Sequence, residues 1–197
     1  MKQMLAWAAG AAGAILIAIG AWLAFVYSGV YDVAASREHS ALTEWTLETI
    51  SERSIARRAG DLPAPLPSDE ASLLHGLEHY RAMCAMCHGA PGVDRNELAE
   101  GLTPRPPRLQ RAAAGWTDAE LFWITKHGIK STGMPAFGVT HDDESLLQIV
   151  ALVRRLPDMT AEEYAELVGA LEVSDTPGHD HAPGTLPHVH APASGSR

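Results

Sequence analysis

Cys84-Ala85-Met86-Cys87-His88 sets the two cysteines of the chain three positions apart, with an imidazole directly after them. Thiols so spaced on one helical turn can reach the two vinyl groups of a haem as thioethers, while His88 swings beneath the iron as proximal ligand. Two other chemistries use the same side chains. A thioredoxin-like redox pair calls for a strand before the motif and a βαβ frame around it, and neither is visible. A structural zinc site calls for a second Cys or His pair at finger spacing, and no second Cys pair exists. One covalent haem, haem c, is therefore the expected cofactor.

A six-coordinate electron-transfer iron needs a second axial ligand from a remote part of the chain, and a methionine sulfur raises its reduction potential. Met134 is the candidate, in Ser131-Thr132-Gly133-Met134-Pro135-Ala136-Phe137. There Gly133 permits close backbone approach, Pro135 stiffens the loop, and Phe137 can pack on the porphyrin. The plain alternative is a core methionine in a turn. Met83 and Met86 lie too near the thioether turn to compete, and Met159, His127 and His141 remain as substitutes. His88 and Met134 together would hold the haem iron. A different metal chemistry is open to His179, His181, His188 and His190, two His-x-His pairs that could take Cu(II), Zn(II) or Ni(II), with copper favoured by intrinsic affinity. The alternative is a solvated tail. His75 and His79, four apart on one helical face, could also chelate, although unpaired surface histidines are commoner.

The elements that must position these groups are helical. No charge occurs from Gln3 through Tyr31, and residues 5–27 are almost wholly apolar, enough to cross a bilayer as a helix of about 20 residues. A cleavable signal has a shorter apolar run, so an uncleaved anchor over 1–31 is favoured, with Val33-Ala34-Ala35 as the alternative late cleavage site. Lys2 before the run and Arg37 after it orient it poorly. Residues 32–67 predict a surface helix over 36–59, capped by Ser40, and then a Pro-rich spacer. Arg53, Arg57 and Arg58 at the helix end suit anionic headgroups or a partner subunit, and a solvated helix is the alternative.

From 68 to 172 an all-α domain is expected. Ser68 caps a helix leading to the haem motif, and Gly89 to Gly115 is a loop whose prolines forbid regular helix. Thr117 to Glu120 is a capping box for a helix that stops at Gly128. Asp142 or Thr140 caps Asp143 to Leu156, and Thr160 with Glu163 opens a terminal helix to about Leu171. Residues 173–197, rich in Pro, Gly, Ala and Ser, are expected to be disordered. The balance of 15 basic against 24 acidic residues argues against a nucleic-acid partner and for docking on something basic.

In this order of parts the chain resembles the class I c-type cytochromes over about Ser68 to Asp158: helix, Cys-x-x-Cys-His, proline loop, helix, Gly-Met-Pro loop, C-terminal helix. The resemblance implies a small cytochrome c-like helical domain around one covalent haem, which the single transmembrane helix expected from residues 5–27 would precede. It implies a haem domain in the periplasm, anchored to the cytoplasmic membrane. It further implies that the first and last helices cross at a small residue, where Gly76 and Tyr80 stand, and that a carbonyl near Pro104 to Pro107 accepts from the proximal imidazole. Arg105, Arg108 and Trp116 are candidates for the haem propionates, or are ordinary surface. Lys126 and Lys130 are candidates for guiding docking, or again ordinary surface.

The expected function is one-electron transfer between redox partners, probed by whether the sixth position is closed. The partners would be membrane respiratory complexes, with the protein a carrier and not an enzyme, freestanding or as a complex subunit. Two other classes stay open: a haem enzyme or gas sensor with a free iron position, and a copper-handling protein whose tail captures the metal.

Overall fold

The structure, a computed structural model, describes residues 2–174. The four tail histidines lie outside the described residues. Helix α1 (Lys2–Ser28) has 27 residues, about 40 Å at 1.5 Å per residue, and buries none of them. Among the described residues it is the one helix long and apolar enough to cross a membrane. Helix α2 (Ala41–Arg58) begins later than the expected residue 36, because Ser40 caps it by accepting from the Thr43 amide.

The remaining helices pack around one core. Helix α3 (Glu70–His79) passes through a π-helical turn, Tyr80–Cys84, into α4 (Ala85–His88). Short turns α5 (Glu97–Glu100) and α6 (Leu109–Ala112) break the stretch expected to be free of helix. They fit on either side of the prolines at 104, 106 and 107, which exclude helix through the centre of the loop but not a single turn beside it. Then come α7 (Asp118–His127), α8 (Asp143–Arg155) and α9 (Ala161–Ser174), the last running past the point where the tail was expected to start. There are no strands among the described residues, so the domain is all-α as expected; one extended pair, Ala90 with Val93, closes the turn after the Cys motif.

Helix α8 is the centre of the core: Leu146, Ile149, Val150, Leu152 and Val153 are all buried. Helix α3 crosses it at Gly76, the small residue anticipated there. A Cβ on Gly76 would sit 2.7 Å from the Gln148 carbonyl carbon and 3.3 Å from the Ile149 nitrogen, so only glycine lets the two backbones meet. Helix α9 closes over α3 with Tyr164 and Leu171 buried. Arg154 of α8 grips the approach to α7 by donating to the Ala113 carbonyl at 2.9 Å, to the Trp116 carbonyl and to the Asp118 carboxylate.

The segment before the domain does not stand clear of it. Leu62 and Leu66, in the Pro-rich stretch expected to be a spacer, pack against the core. Helix α2 rests on α7, with Ile55 its buried residue. The Thr103 hydroxyl donates to the Ala35 carbonyl at 2.5 Å. Apolar side chains recurring through 55, 62 and 66 give this strap a surface to bury, which outweighs the extended preference of its prolines.

Caps set the helix starts. Thr117 and Glu120 form the anticipated capping box, and Thr160 and Glu163 form the other. Asp69, not Ser68, caps α3 by accepting from the Ser72 amide at 2.9 Å; the carboxylate is the better acceptor beside a helix N-terminus. Asp142 does the same for α8 with Ser145. These backbone amide bonds hold both carboxyls below their ordinary value of 3.8. Unfolding therefore takes up protons as pH falls, so their stabilisation is present above about pH 4 and lost below it. Urea midpoints measured at pH 5 and pH 3 should drop less in Asp69→Asn/Asp142→Asn than in the native chain; an equal drop would remove the caps as a source of acid sensitivity.

Candidate haem site

The π-helical turn decides how the Cys motif faces. The Ala85 amide reaches back five residues to the Tyr80 carbonyl, which inserts one extra residue and resets the side chains that follow. Cys84 and His88 become buried and Cys87 half-buried, all within two turns, and neither cysteine is in a disulfide. Tyr80, itself buried, donates its hydroxyl to the Gly89 carbonyl at 2.5 Å and so ties the end of α3 to the residue after His88. Burial pushes the Tyr80 phenol well above its ordinary value, which keeps it a donor. Burial likewise pushes the Cys84 thiol up to about 12, with Cys87 adding to the effect.

His88 Nδ1 lies 2.7 Å from the Pro107 carbonyl. A carbonyl only accepts, so Nδ1 carries the proton and Nε2 is left with its lone pair. Burial lowers the His88 pKa against the opposing effect of that hydrogen bond, with nearby Arg95 lowering it further. The imidazole is thus neutral and oriented, the form that binds iron.

Met134, half-buried, is fixed from both sides. Its amide donates to Thr132 Oγ1 at 3.0 Å, the Thr132 hydroxyl donates to the Ile129 carbonyl at 2.8 Å, and the Ile129 amide donates to the Met134 carbonyl at 3.2 Å. Gly128, in the left-handed region at φ 63°, ends α7 so close beneath this loop that a Cβ would lie 2.6 Å from the Met134 oxygen. A Cβ on Gly133 would lie 2.8 Å from Leu102 Cδ1. The Met loop and the proline loop therefore meet at that point.

Arg95 is the residue that the sequence did not single out. Its side chain is 12% exposed. It donates to the Pro106 carbonyl at 2.5 Å and stands 3.5 Å from Glu100, yet its buried Nε has no partner. An unsatisfied buried donor is costly, and a haem carboxylate is the natural acceptor beside a proximal histidine. Arg105 and Arg108, the arginines proposed for that part, instead pair with Glu100 at 3.0 Å and Asp94 at 2.6 Å. Trp116 packs on the core. Lys126 is taken up by Asp143 at 2.6 Å over the Phe122 ring, which removes it as a free docking charge, whereas Lys130 is exposed.

Among the substitutes for Met134, His127 leans on the Trp123 ring at a tilt of 42°, His141 Nδ1 meets Thr140 Oγ1 at 2.8 Å, and Met159 packs on the core. His75 and His79 have separate neighbours, Glu78 and His141. Among the described residues no group of three or more His, Cys, Asp or Glu is arranged for a metal ion.

A neutral, oriented and buried imidazole, two thiols on its own turn, an orphaned guanidinium nitrogen and a methionine loop fit a covalent haem. The helical unit they stand in has the parts of a class I c-type cytochrome domain, a match that supports a haem-based electron carrier. Its residues 71–153, from the start of α3 into α8, match the family model described as cytochrome C oxidase, cbb3-type, subunit III. No curated protein matches the chain.

Proposed function

We propose that the protein is a membrane-anchored carrier of single electrons, holding one haem through Cys84 and Cys87, with His88 as proximal and Met134 as distal ligand. The observation that carries this is the bond from His88 to Pro107, which prepares Nε2 for iron inside a domain of the matching class. When bound, the haem supplies a one-electron Fe(III)/Fe(II) couple. The chain's part is to bind, orient and exclude. Cys84 and Cys87 would hold the haem to the helix, Pro107 holds the imidazole of His88, and Met134 would be the second ligand, keeping oxygen and peroxide from the iron. Arg95 offers its spare Nε to a propionate.

Helix α1 anchors the protein in the cytoplasmic membrane with a single pass, and the domain lies in the periplasm between respiratory redox partners. The strap of residues 41–67 along the domain, and a family model named for an oxidase subunit, support a fixed component of a respiratory complex over a freely tethered shuttle.

Mass spectrometry of the denatured chain tests the cofactor. A mass raised by one haem, lost on Cys84→Ala/Cys87→Ala, is the expected result; a chain without added mass would end the proposal. Arg95→Leu should lower the reduction potential, because removing a positive charge beside the iron favours Fe(III). Potentiometric titration checks it, and an unchanged potential would take Arg95 out of the site.

A further inference from the structure

Helix α2 buries one residue, Ile55, yet leaves Leu42, Trp45 and Ile50 exposed at 72%, 62% and 60%, and Leu47 at 46%. Three of these, Leu42, Trp45 and Ile50, fall within one arc of an otherwise polar helix, unlike the single apolar side chains scattered over any surface. The charges of α2 are sorted in the same way. Glu44, Glu48 and Glu52 follow one another at intervals of four and form one stripe. Ile55 comes seven after Glu48, so this stripe, whose three glutamates are exposed, runs along the edge of the side that α2 buries. On the other side, Leu42 leads in steps of three and four through Thr46, Ile50 and the exposed Arg53 to the exposed Arg57 with no acid between them, and Trp45, seven before Glu52, stands at the edge of this face.

We infer that α2 is an interfacial helix whose acid-free face lies on the anionic surface of the bilayer spanned by α1. The inference rests on the membrane anchor proposed above. Residues 29–40 join the two helices and reach at most about 43 Å when fully extended. Ala35, midway along them, is held by Thr103. The start of α2 is thus kept near the surface where α1 emerges. Trp45 is the side chain type that settles at the headgroup level, with the alkyl groups of Leu42 and Ile50 below it and the two guanidinium groups on lipid phosphates. Because α2 is seated on α7, its contact with lipid would hold the whole haem domain against the membrane instead of leaving it to roam.

The test uses the full haem-loaded chain in phosphatidylcholine/phosphatidylglycerol vesicles. Both native thiols are consumed by thioethers, so Leu16→Cys, Trp45→Cys, Glu48→Cys and Ile50→Cys each provide one site for a nitroxide label, and an unchanged haem spectrum verifies each fold. Relaxation by oxygen relative to an aqueous nickel chelate reads depth. Labels at 45 and 50 are expected to be several-fold more lipid-like than the label at 48, and to lose that preference in Arg53→Glu/Arg57→Glu. Water-like labels at 45 and 50 with a lipid-like label at 16 would overturn the inference while keeping the anchor. Labels at 45 and 50 shielded from both reagents would overturn it in favour of a protein partner. A water-like label at 16 would remove the anchor and the inference together.

Discussion

Met134→Ala should leave the haem attached but open the iron, and this is the largest functional change expected of any single substitution. The thioethers and the His88–Pro107 bond are independent of residue 134, so the protein should purify with its cofactor. A sulfur ligand favours Fe(II), and alanine supplies no donor in its place. The weak near-infrared band of sulfur bound to Fe(III) should disappear, the potential should fall, and carbon monoxide should bind the reduced variant while leaving the native protein unchanged. The loop itself should persist, since the Thr132 and Ile129 bonds that shape it use backbone atoms of residue 134. Spectra of oxidised and reduced protein decide the matter. A near-infrared band retained in the variant would assign the distal position to another residue, and a native protein that binds carbon monoxide would favour an enzyme or sensor.

Gly76→Val should be the most destabilising substitution in the domain. The added Cβ would fall 2.7 Å from the carbonyl carbon of Gln148, and the neighbour is backbone in the middle of α8, so no flexible side chain can swing aside. Helices α3 and α8 must then separate, and with them Leu77, Tyr80, Ile149 and Val150, which are buried where they meet. Overpacking of a core costs about 1–3 kcal/mol and sometimes more. For a domain of this size that corresponds to a fall in Tm on the order of 10–20 °C. Thermal unfolding followed by circular dichroism measures it, with Gly76→Ala expected in between. A Tm equal to that of the native chain would mean that the crossing can open without loss.

What could be read from sequence follows the range of the interaction involved. The capping boxes at Thr117 and Thr160, and the cap at Asp142, are bonds across three residues, and they occur where their residue types predict. Asp69 took the place of Ser68 because adjacent acceptors differ only in strength, a small margin to judge from composition. The crossing at Gly76 was legible through the family pattern. The π-helical turn was not, because its extra residue is fixed by how Tyr80 packs and bonds to Gly89, a matter of the assembled core. Arg95 was hidden for a similar reason. Four arginines stand between the Cys motif and α7, at 95, 105, 108 and 111, and only the assembled proline loop decides that the first turns inward while the second and third meet Glu100 and Asp94. The strap was missed because prolines were weighed above the two leucines among them.

The burial of Cys84 bears on the order of events in maturation. Sulfur reacts as an accessible thiolate, whereas in the folded chain this thiol is 7% exposed and protonated at any physiological pH. A modifying enzyme cannot reach it once α3 and α8 have closed. On the proposed attachment, the bond at Cys84 would be made on the nascent, still open chain, and the finished fold would then close over it as a lock.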